Sequence, residues 1–313
     1  MMSKHYTIDA TPTTVHWGYF DAGLEPVLEI ESGDEVTLHT LNGEPWDLPA
    51  DESLILPEHR DVLEKQTKKG GVHQMTGPVY VRDAEPGDTL QIDILEATPR
   101  QDWGYCSVLP LLGTLPMEFT DYETVHIMID RERQVARLPW GPEINLDPFF
   151  GIMAVAPPKD WGRQSSTVPW AFGGNMDNKE LRPGTTLYLP VFNEGALFSA
   201  GDGHGVQGDG EVCITALETS LTGRFRLTVR KDLPLVQPFA ESETHLISIG
   251  LDQDLDDAAK DAVREMVRLI CARTDMNRNQ AYMLCSLVGD LRVTQLVDGN
   301  KGVHMMLEKR YLA

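Results

Sequence analysis

Residues 170–218 read WAFGGNMDNKELRPGTTLYLPVFNEGALFSAGDGHGVQGDGEVCITALE, and the rest of the chain is organised around them. The apolar middle, TLYLPVFNEGALFS, is rich in aromatic and branched residues and predicts a strand, a turn and a second strand. Polar glycine-rich loops flank it: GGNMDN at 173–178, then GDGHG at 201–205 and QGDGE at 207–211. We expect a hairpin-like connection to bring these loops to one end of a sheet.

Glycine occupies nearly alternate positions of the second loop (201, 203, 205, 208 and 210). So many glycines weaken a strand, but they suit backbone that takes left-handed angles or approaches a ligand closely. The side chains between them are Asp202, His204, Asp209 and Glu211. Imidazole and carboxylate groups are zinc ligands, and carboxylate with amide oxygen suits calcium. The pattern therefore indicates a divalent-metal site, and a series of Gly-Asp turns with a solvated histidine is the alternative.

Four stretches of the chain carry a resemblance to one enzyme family. They are GGNMDNKEL (173–181), LPVFNEGALFSAGDGH with QGDGEV (189–212), HQMTGPVYVRDAEPGDTLQIDIL (73–95) and, more loosely, NQAYMLCSLVGDLRVTQLVDGNKGVHMML (279–307). Together they resemble the acetamidase/formamidase family of metal-dependent amide hydrolases, in the same order over nearly the whole chain. The resemblance implies hydrolysis of a small linear amide to a carboxylate and ammonia. It leaves the amide open: formamide, acetamide or a larger one.

The resemblance and the loop residues together predict a divalent metal, zinc first and calcium second. Asp177, Asp202 and His204 are the expected ligands. Asp202 and His204 lie two positions apart, so an extended backbone points both to one face. His73, which the resemblance places at the start of an HxxxGPVYV-type motif, is the fourth candidate. A histidine that makes one backbone hydrogen bond at the start of a strand is the equal alternative there.

Glu211 is the expected general acid and base, and Asp209 is the alternative. An amide resists hydrolysis because its carbonyl is resonance-stabilised and its amine leaves poorly. A metal polarises the carbonyl and lowers the pKa of bound water towards about 7. A carboxylate then carries the proton from that water to the leaving nitrogen. Asn175 either donates to the developing oxyanion or binds the metal through its carbonyl oxygen.

The charge balance excludes several kinds of partner. The chain has 313 residues with 48 Asp and Glu against 27 Lys and Arg, a net charge of −21. Such a surface attracts neither nucleic-acid phosphates nor anionic membranes, whereas a small neutral amide is compatible with it. The N-terminus lacks the apolar core of a signal peptide, and no apolar run reaches membrane-spanning length. Four scattered cysteines without a CxxC pair indicate reduced thiols of a cytoplasmic protein.

One pattern recurs three times and predicts the fold class. PVLEIESGDEVTLHT (26–40), YVRDAEPGDTLQIDIL (80–95) and KELRPGTTLYLPV (179–191) each place a glycine corner before an alternating strand. Asp34 and Asp88, next to two of these glycines, are expected to be turn residues. The spacing is too irregular for a solenoid or propeller, so we expect a mainly β body of sandwich, jelly-roll or barrel type.

The chain is expected to divide at residue 240. Residues 1–240 form the β-rich body with the metal site, and residues 241–313 predict two helices and two strands, a small α+β unit. This unit offers no catalytic cluster and is expected to serve as scaffold or as the interface of a homodimer or larger homo-oligomer. Residues 41–71 are polar, predict one short helix in PEHRDVLEKQTKKG, and are expected to form a lid or linker.

Three other functions compete with the amidase. A calcium-stabilised β-sandwich binding protein explains the Gly/Asp loops without catalysis. A cupin-like metal enzyme normally carries a His-x-His pair, where this chain has Asp202 and His204. A serine amidase needs a nucleophile segment that the polar loop around Ser165 and Ser166 does not provide.

Overall fold

The computed structural model describes residues 3–312, which form a mainly β protein with three α-helices. The strands are β1 (His5–Ile8), β2 (Val15–Trp17), β3 (Tyr19–Phe20), β4 (Leu28–Ile30), β5 (Glu35–His39), β6 (Gln74–Val81), β7 (Thr89–Pro99), β8 (Trp103–Val108), β9 (Glu123–Asp130), β10 (Val135–Arg137), β11 (Glu143–Asn145), β12 (Phe149–Ala154), β13 (Gln164–Ser165), β14 (Gly173–Asn175), β15 (Thr186–Pro190), β16 (Phe198–His204), β17 (Leu221–Arg230), β18 (Phe239–Glu241), β19 (His245–Asp252), β20 (Asp290–Gln295) and β21 (Lys301–Glu308). The helices are α1 (Pro57–Lys65), α2 (Leu255–Arg273) and α3 (Arg278–Val288). No helix within residues 3–312 is long and apolar enough to cross a bilayer.

Two large sheets face each other across the main core. One has nine strands in the order β1-β5-β17-β7-β15-β18-β19-β21-β20. The other has six, β14-β12-β16-β6-β2 with β4 paired to β6. Phe225 of the nine-stranded sheet contacts Phe150 and Phe198 of the six-stranded sheet, with ring centroids 5.3 and 5.4 Å apart. The expected sandwich is therefore confirmed, and over residues 3–312 the sheets do not close into a barrel.

The three glycine corners share one structural role. Each carries the chain from the six-stranded to the nine-stranded sheet: β4 to β5, β6 to β7, and β14 to β15. Gly33, Gly87 and Gly184 take left-handed φ angles of 93°, 98° and 91°, which glycine adopts without a side-chain clash. The carboxylates of Asp34 and Asp88 accept the N–H of the residue three positions earlier, at 3.1 and 2.9 Å. Both aspartates are turn residues, as predicted.

The expected hairpin between the two halves of TLYLPVFNEGALFS is wrong. β15 lies in the nine-stranded sheet between β7 and β18, and β16 lies in the six-stranded sheet between β12 and β6. Each strand already has a neighbour on both sides, so neither offers a free edge to the other. The GDGH segment is part of β16 rather than a loop. The two polar segments still meet, because β14 and β16 both pair with β12.

The C-terminal strands extend the nine-stranded sheet. β18 pairs with β15 and is followed by β19, β21 and β20, so the sheet runs across residue 240. Both predicted helices are present: α2 starts at an Asp254 cap, and α3 starts at a capping box formed by Asn277 and Gln280. Met266 and Ile270 of α2 are buried in a second core with Phe239 and Leu307. The division at residue 240 stays a prediction.

Two smaller sheets complete the fold. A four-stranded sheet, β11-β10-β9-β8, contains a hairpin of β9 and β10, and β3 pairs with β13. Tyr105 of β8 and His204 of β16 each form an isolated bridge with Glu218. The segment that carries Glu218 therefore connects the small sheet to the end of β16.

Candidate metal centre

His204 ends β16 and is almost completely buried. Its Nε2 lies 3.3 Å from Asp202 Oδ2, 3.3 Å from Glu218 Oε2 and 3.9 Å from Asp177 Oδ1. Its Nδ1 lies 2.9 Å from Gln207 Oε1. An amide oxygen only accepts, so Nδ1 carries a proton, and Nε2 faces the carboxylates.

Two overlapping sets of metal-ligand side chains share this histidine. Asp177, His204 and Glu211 form one set, and Asp202, His204 and Glu218 form the other. Within each set, the candidate ligand atoms lie within 4.8 Å of one another. Every one of these side chains is buried. The cluster therefore has the residue types and the spacing of a buried divalent-cation site.

A glycine in β12 makes room for the converging carboxylates. The Gly151 carbonyl accepts the N–H of Asp177 at 3.2 Å, and the register pairs Phe149 with His204 on the neighbouring strand. A Cβ atom at Gly151 would overlap Asp177 Oδ1 and lie 2.5 Å from Asp202 Oδ2. Any other residue at this position would fill the space where the two carboxylates meet.

Three of the clustered residues have left-handed backbone angles. The φ angles are 47° at Asp177, 56° at Asp202 and 44° at Glu211. Aspartate tolerates this region better than glutamate does, but non-glycine residues are uncommon there. Such strain persists where the surroundings fix it and concentrates at functional sites. The backbone is thus held in unusual conformations where the acidic side chains converge.

Several oxygen atoms of the cluster have no hydrogen-bond partner. They are Asn175 Oδ1, both carboxylate oxygens of Asp177, Glu211 Oε2 and Asp298 Oδ2, all fully buried. Burying an unpaired carboxylate costs several kcal/mol, on the order of the effective penalty for a desolvated ion. A divalent cation among these oxygens would remove that cost. The residues present therefore fit a divalent metal ion.

The pKa shifts follow from burial and mutual repulsion. Burial, and then the charge of Asp202, raise the pKa of Asp177 to about 6. Burial and the charge of Asp177 raise the pKa of Glu211 well above its usual range. Burial alone would lower the pKa of His204, but the charges of Glu218 and Asp202 outweigh it and raise that pKa. The carboxylates lie too close together for all of them to ionise without a counter-charge.

The structure brings together most of the residues singled out in the sequence. Five are buried in the cluster: Asn175, Asp177, Asp202, His204 and Glu211. His73 lies at its edge, with Nε2 3.9 Å from Asp202 Oδ2 and Nδ1 3.0 Å from Ser166 Oγ. Asp209 is not brought in, because its carboxylate is partly exposed and pairs with Lys179 at 3.0 Å.

Three residues of the cluster were not identified in the sequence. Glu218 faces His204. Asp298 lies beside Asp177: burial is the main reason that the pKa of Asp298 is raised, and the charge of Asp177 raises it further. Asn42 Nδ2 donates to Glu218 Oε2 at 2.7 Å and to Asp202 Oδ1 at 3.3 Å. Asn42 belongs to residues 41–71, so this segment contributes to the site, and it also contains the predicted helix, α1. Its expected role as a lid or linker stays a prediction.

A cavity of about 320 Å³ opens onto the cluster. Its inner lining includes His73, Asn175, Glu211, Glu218 and Asp298. A ligand in this cavity would therefore contact imidazole, amide and carboxylate groups directly. The arrangement can hold a cation and present a small polar substrate to it.

Comparison with known proteins assigns this arrangement to one family. The sequence model of the Acetamidase/Formamidase family matches residues 7–167 and 160–307. An acetamidase from Mycolicibacterium smegmatis is 26% identical over 207 residues, which cover 45% of this chain and 49% of that protein. The chain spans about half the length of the curated relatives it matches.

Solved structures match over nearly the whole chain. The crystal structure of an acetamidase from Bacillus halodurans is 30% identical, has a TM-score of 0.85, and is matched over 97% of this chain and 98% of that one. An acetamidase from Yersinia enterocolitica is 27% identical with a TM-score of 0.88, matched over 100% of this chain and 94% of that one. Because the family model matches far more than half of the residues of this chain, the chain belongs to the acetamidase/formamidase family.

Proposed function

We propose that this protein is a metal-dependent amidase that hydrolyses a small linear amide to a carboxylate and ammonia. The observation that carries the proposal is the set of unpaired buried oxygens of Asn175, Asp177, Glu211 and Asp298 around His204. The names of its relatives, acetamidase and formamidase, agree with this chemistry.

The proposed metal ligands are Asp177, Asp202, His204 and Glu218, with His73 at the edge of the set. Zinc is the first expectation, because imidazole and carboxylate are its ligands, and calcium is the second. When bound, such a cation supplies Lewis-acid polarisation of the amide carbonyl and acidifies water. The cavity excludes most solvent from this chemistry, since the cluster is buried.

The chain's own side chains complete the proposed reaction. Glu211 lines the cavity, and its carboxylate accepts a proton from water and returns it to the leaving nitrogen. Burial, followed by the charge of Asp177, raises the pKa of Glu211 above the usual carboxyl range, which favours its holding a proton. Asn175 lines the same cavity and is proposed to orient the amide or to bind the metal through Oδ1.

The cellular setting is part of the same proposal. We propose a cytoplasmic homodimer or larger homo-oligomer. All four cysteines are free thiols, which agrees with a reducing compartment. Large apolar side chains such as Met117 and Phe119 are exposed, which agrees with a further interface. Light scattering of the purified protein measures the assembly directly.

The test is metal analysis of the purified protein, coupled to ammonia release from formamide and acetamide before and after chelation. We expect bound zinc and chelator-sensitive ammonia release. Asp177→Asn and His204→Gln should lose both metal and activity, whereas Asp209→Asn, outside the cluster, should keep both. Full metal content and activity in the first two variants would refute the ligand assignment. Bound calcium without ammonia release would favour a binding protein instead.

A further inference from the structure

The cavity is larger than the smallest amides need. It measures about 320 Å³. An enclosed apolar cavity of about 150 Å³ holds a benzene molecule, and a water molecule's share of liquid volume is about 30 Å³. Scaled from benzene and its six heavy atoms, the four heavy atoms of acetamide fill roughly 100 Å³. More than half of the cavity would remain empty behind an acetyl group.

Part of the cavity lining is an apolar wall. It consists of Trp46, Val72, Leu109, Leu112 and Ile214, and the hydroxyl groups of Ser107, Thr167 and Thr215 also belong to the lining. Trp46 and Leu112 are 57% and 48% exposed, and Lys68 Nζ lies 5.3 Å from the centroid of the Trp46 ring. A ligand that removes this apolar surface from water gains about 25 cal/mol of binding free energy per Å² of apolar area. A substrate with an apolar group beyond the amide would gain this energy, whereas acetamide would not reach it.

Ile214 is held against the cavity in a strained conformation. Its φ angle is 80°, which is rare for a β-branched residue and costs on the order of 1–2 kcal/mol. Its N–H donates to the carbonyl of Glu211 at 3.0 Å, so both residues belong to one turn. The turn that positions the proposed proton carrier therefore also fixes an apolar side chain in the same cavity.

Two acidic residues of the outer cavity are already engaged within the protein. Glu44 pairs with Lys68 at 2.6 Å. Asp47 accepts the backbone N–H of Glu44 at 3.0 Å and so closes a local turn. Apart from neutral hydroxyl groups, the surface left for the distal part of a substrate is the apolar wall.

We infer that the site takes primary amides whose acyl group is larger than acetyl, of aryl size or about six carbons, with Leu112 and Ile214 as specificity-determining residues. The inference rests on the proposed amidase function. The amide group lies at the carboxylate cluster, and the acyl group lies against the apolar wall.

Substrate comparison tests the inference. We expect kcat/KM for benzamide and hexanamide to exceed that for acetamide by tenfold or more, since one methylene in a matching pocket is worth about tenfold or more. Leu112→Ala should lower the benzamide value about tenfold and leave the acetamide value within about twofold. Leu115→Ala is the matched control, since Leu115 is similarly exposed but lies outside the cavity lining.

A binding measurement separates this inference from the catalytic proposal. Acetophenone and acetone have the shapes of benzamide and acetamide but cannot be hydrolysed. We expect acetophenone to bind more tightly by tenfold or more, and Leu112→Ala to remove most of that difference.

Each outcome decides one of the two proposals. If no primary amide of any size releases ammonia, the proposed function fails. The ketone affinities still show whether the cavity prefers the larger acyl group. Ammonia release from acetamide at least as efficient as from benzamide, with equal ketone affinities, would overturn the inference and leave the amidase intact. A preference for an amine-bearing amide such as glycinamide would also overturn it.

Discussion

Gln207 Oε1 lies 2.9 Å from His204 Nδ1. The same side chain donates through Nε2 to the carbonyl of Asp177 at 2.8 Å. The Gln207 amide therefore keeps a proton on Nδ1 of His204 and also holds the backbone of Asp177, a second candidate ligand. Contacts of this kind orient the groups that bind a metal and raise their affinity for it.

Gln207→Leu should weaken metal binding about 10- to 100-fold, because the imidazole loses the acceptor that fixes its N–H on Nδ1. Competition with a chromophoric chelator measures the affinity. Gln207→Glu is the matched comparison, since it keeps an acceptor for Nδ1 and should retain more of the affinity than leucine does. Equal affinities in the wild type and Gln207→Leu would contradict this role.

Gly151→Ala should abolish metal binding and lower the free energy of unfolding, because the added Cβ overlaps Asp177 and crowds Asp202. Metal content and the urea midpoint of unfolding are the measurements. Gly208→Ala is the control: a Cβ there meets no atom within 4 Å, so metal content should not change. An alanine variant at 151 with full metal content would show that the carboxylates do not converge there.

Removing the metal with a chelator should lower the melting temperature of the protein. This decrease should be smaller in the Asp298→Asn variant. A ligand at a hundred times its Kd stabilises the folded state by about 2.7 kcal/mol. Without the metal, burial and the charge of Asp177 make an Asp298 carboxylate unfavourable, and asparagine removes this penalty. Thermal unfolding with and without chelator measures both effects. Asp290→Asn, on the exposed end of β20, is the control and should lose as much on chelation as the wild type.

Acid should destabilise the protein partly through His304. Burial lowers the pKa of His304 to about 4, against an ordinary value of 6.5. Between these values the unfolded chain binds a proton that the folded protein does not, so stability falls as pH drops from 6.5 to 4.

His304→Gln keeps a hydrogen-bonding partner for Thr294 and should reduce this slope by up to about 1.4 kcal/mol per pH unit. Other groups titrate in the same pH range. The difference between the slopes of the wild type and the variant therefore isolates the contribution of His304. Urea unfolding at several pH values measures the slope. Identical slopes would mean that the pKa of His304 is the same in the folded and the unfolded protein.

The fold class was predictable because its causes are local. The three glycine corners combine a left-handed glycine with an alternating strand, and two of them also carry an aspartate cap, so sequence spacing alone marks them. The pairing of β15 was not predictable in this way. Which neighbour a buried strand takes depends on the whole sheet, and the segment around Tyr188 is as compatible with a hairpin as with a crossing between sheets.

The site was predictable where glycine and ligand residues alternate, from Asp202 to Glu211. Glu218 left a weaker sign, a single charged residue in the otherwise uncharged run 212–222. Asn42 and Asp298 left none, because polar residues in turns are ordinary there. Their contribution depends on contacts between segments far apart in the chain, which periodicity and spacing do not encode.

Asp298 completes the acidic cluster from the turn between β20 and β21, and Asn42 enters it from the other end of the chain. A ribosome delivers these segments in order, so the cluster stays incomplete until the turn with Asp298 has left the exit tunnel. Until then the oxygens that would hold a cation near His204 are not all in place, and burying the other carboxylates without that cation is opposed. We expect the carboxylates of the nascent chain to stay hydrated. The metal centre would then form and bind its cation only at the end of synthesis.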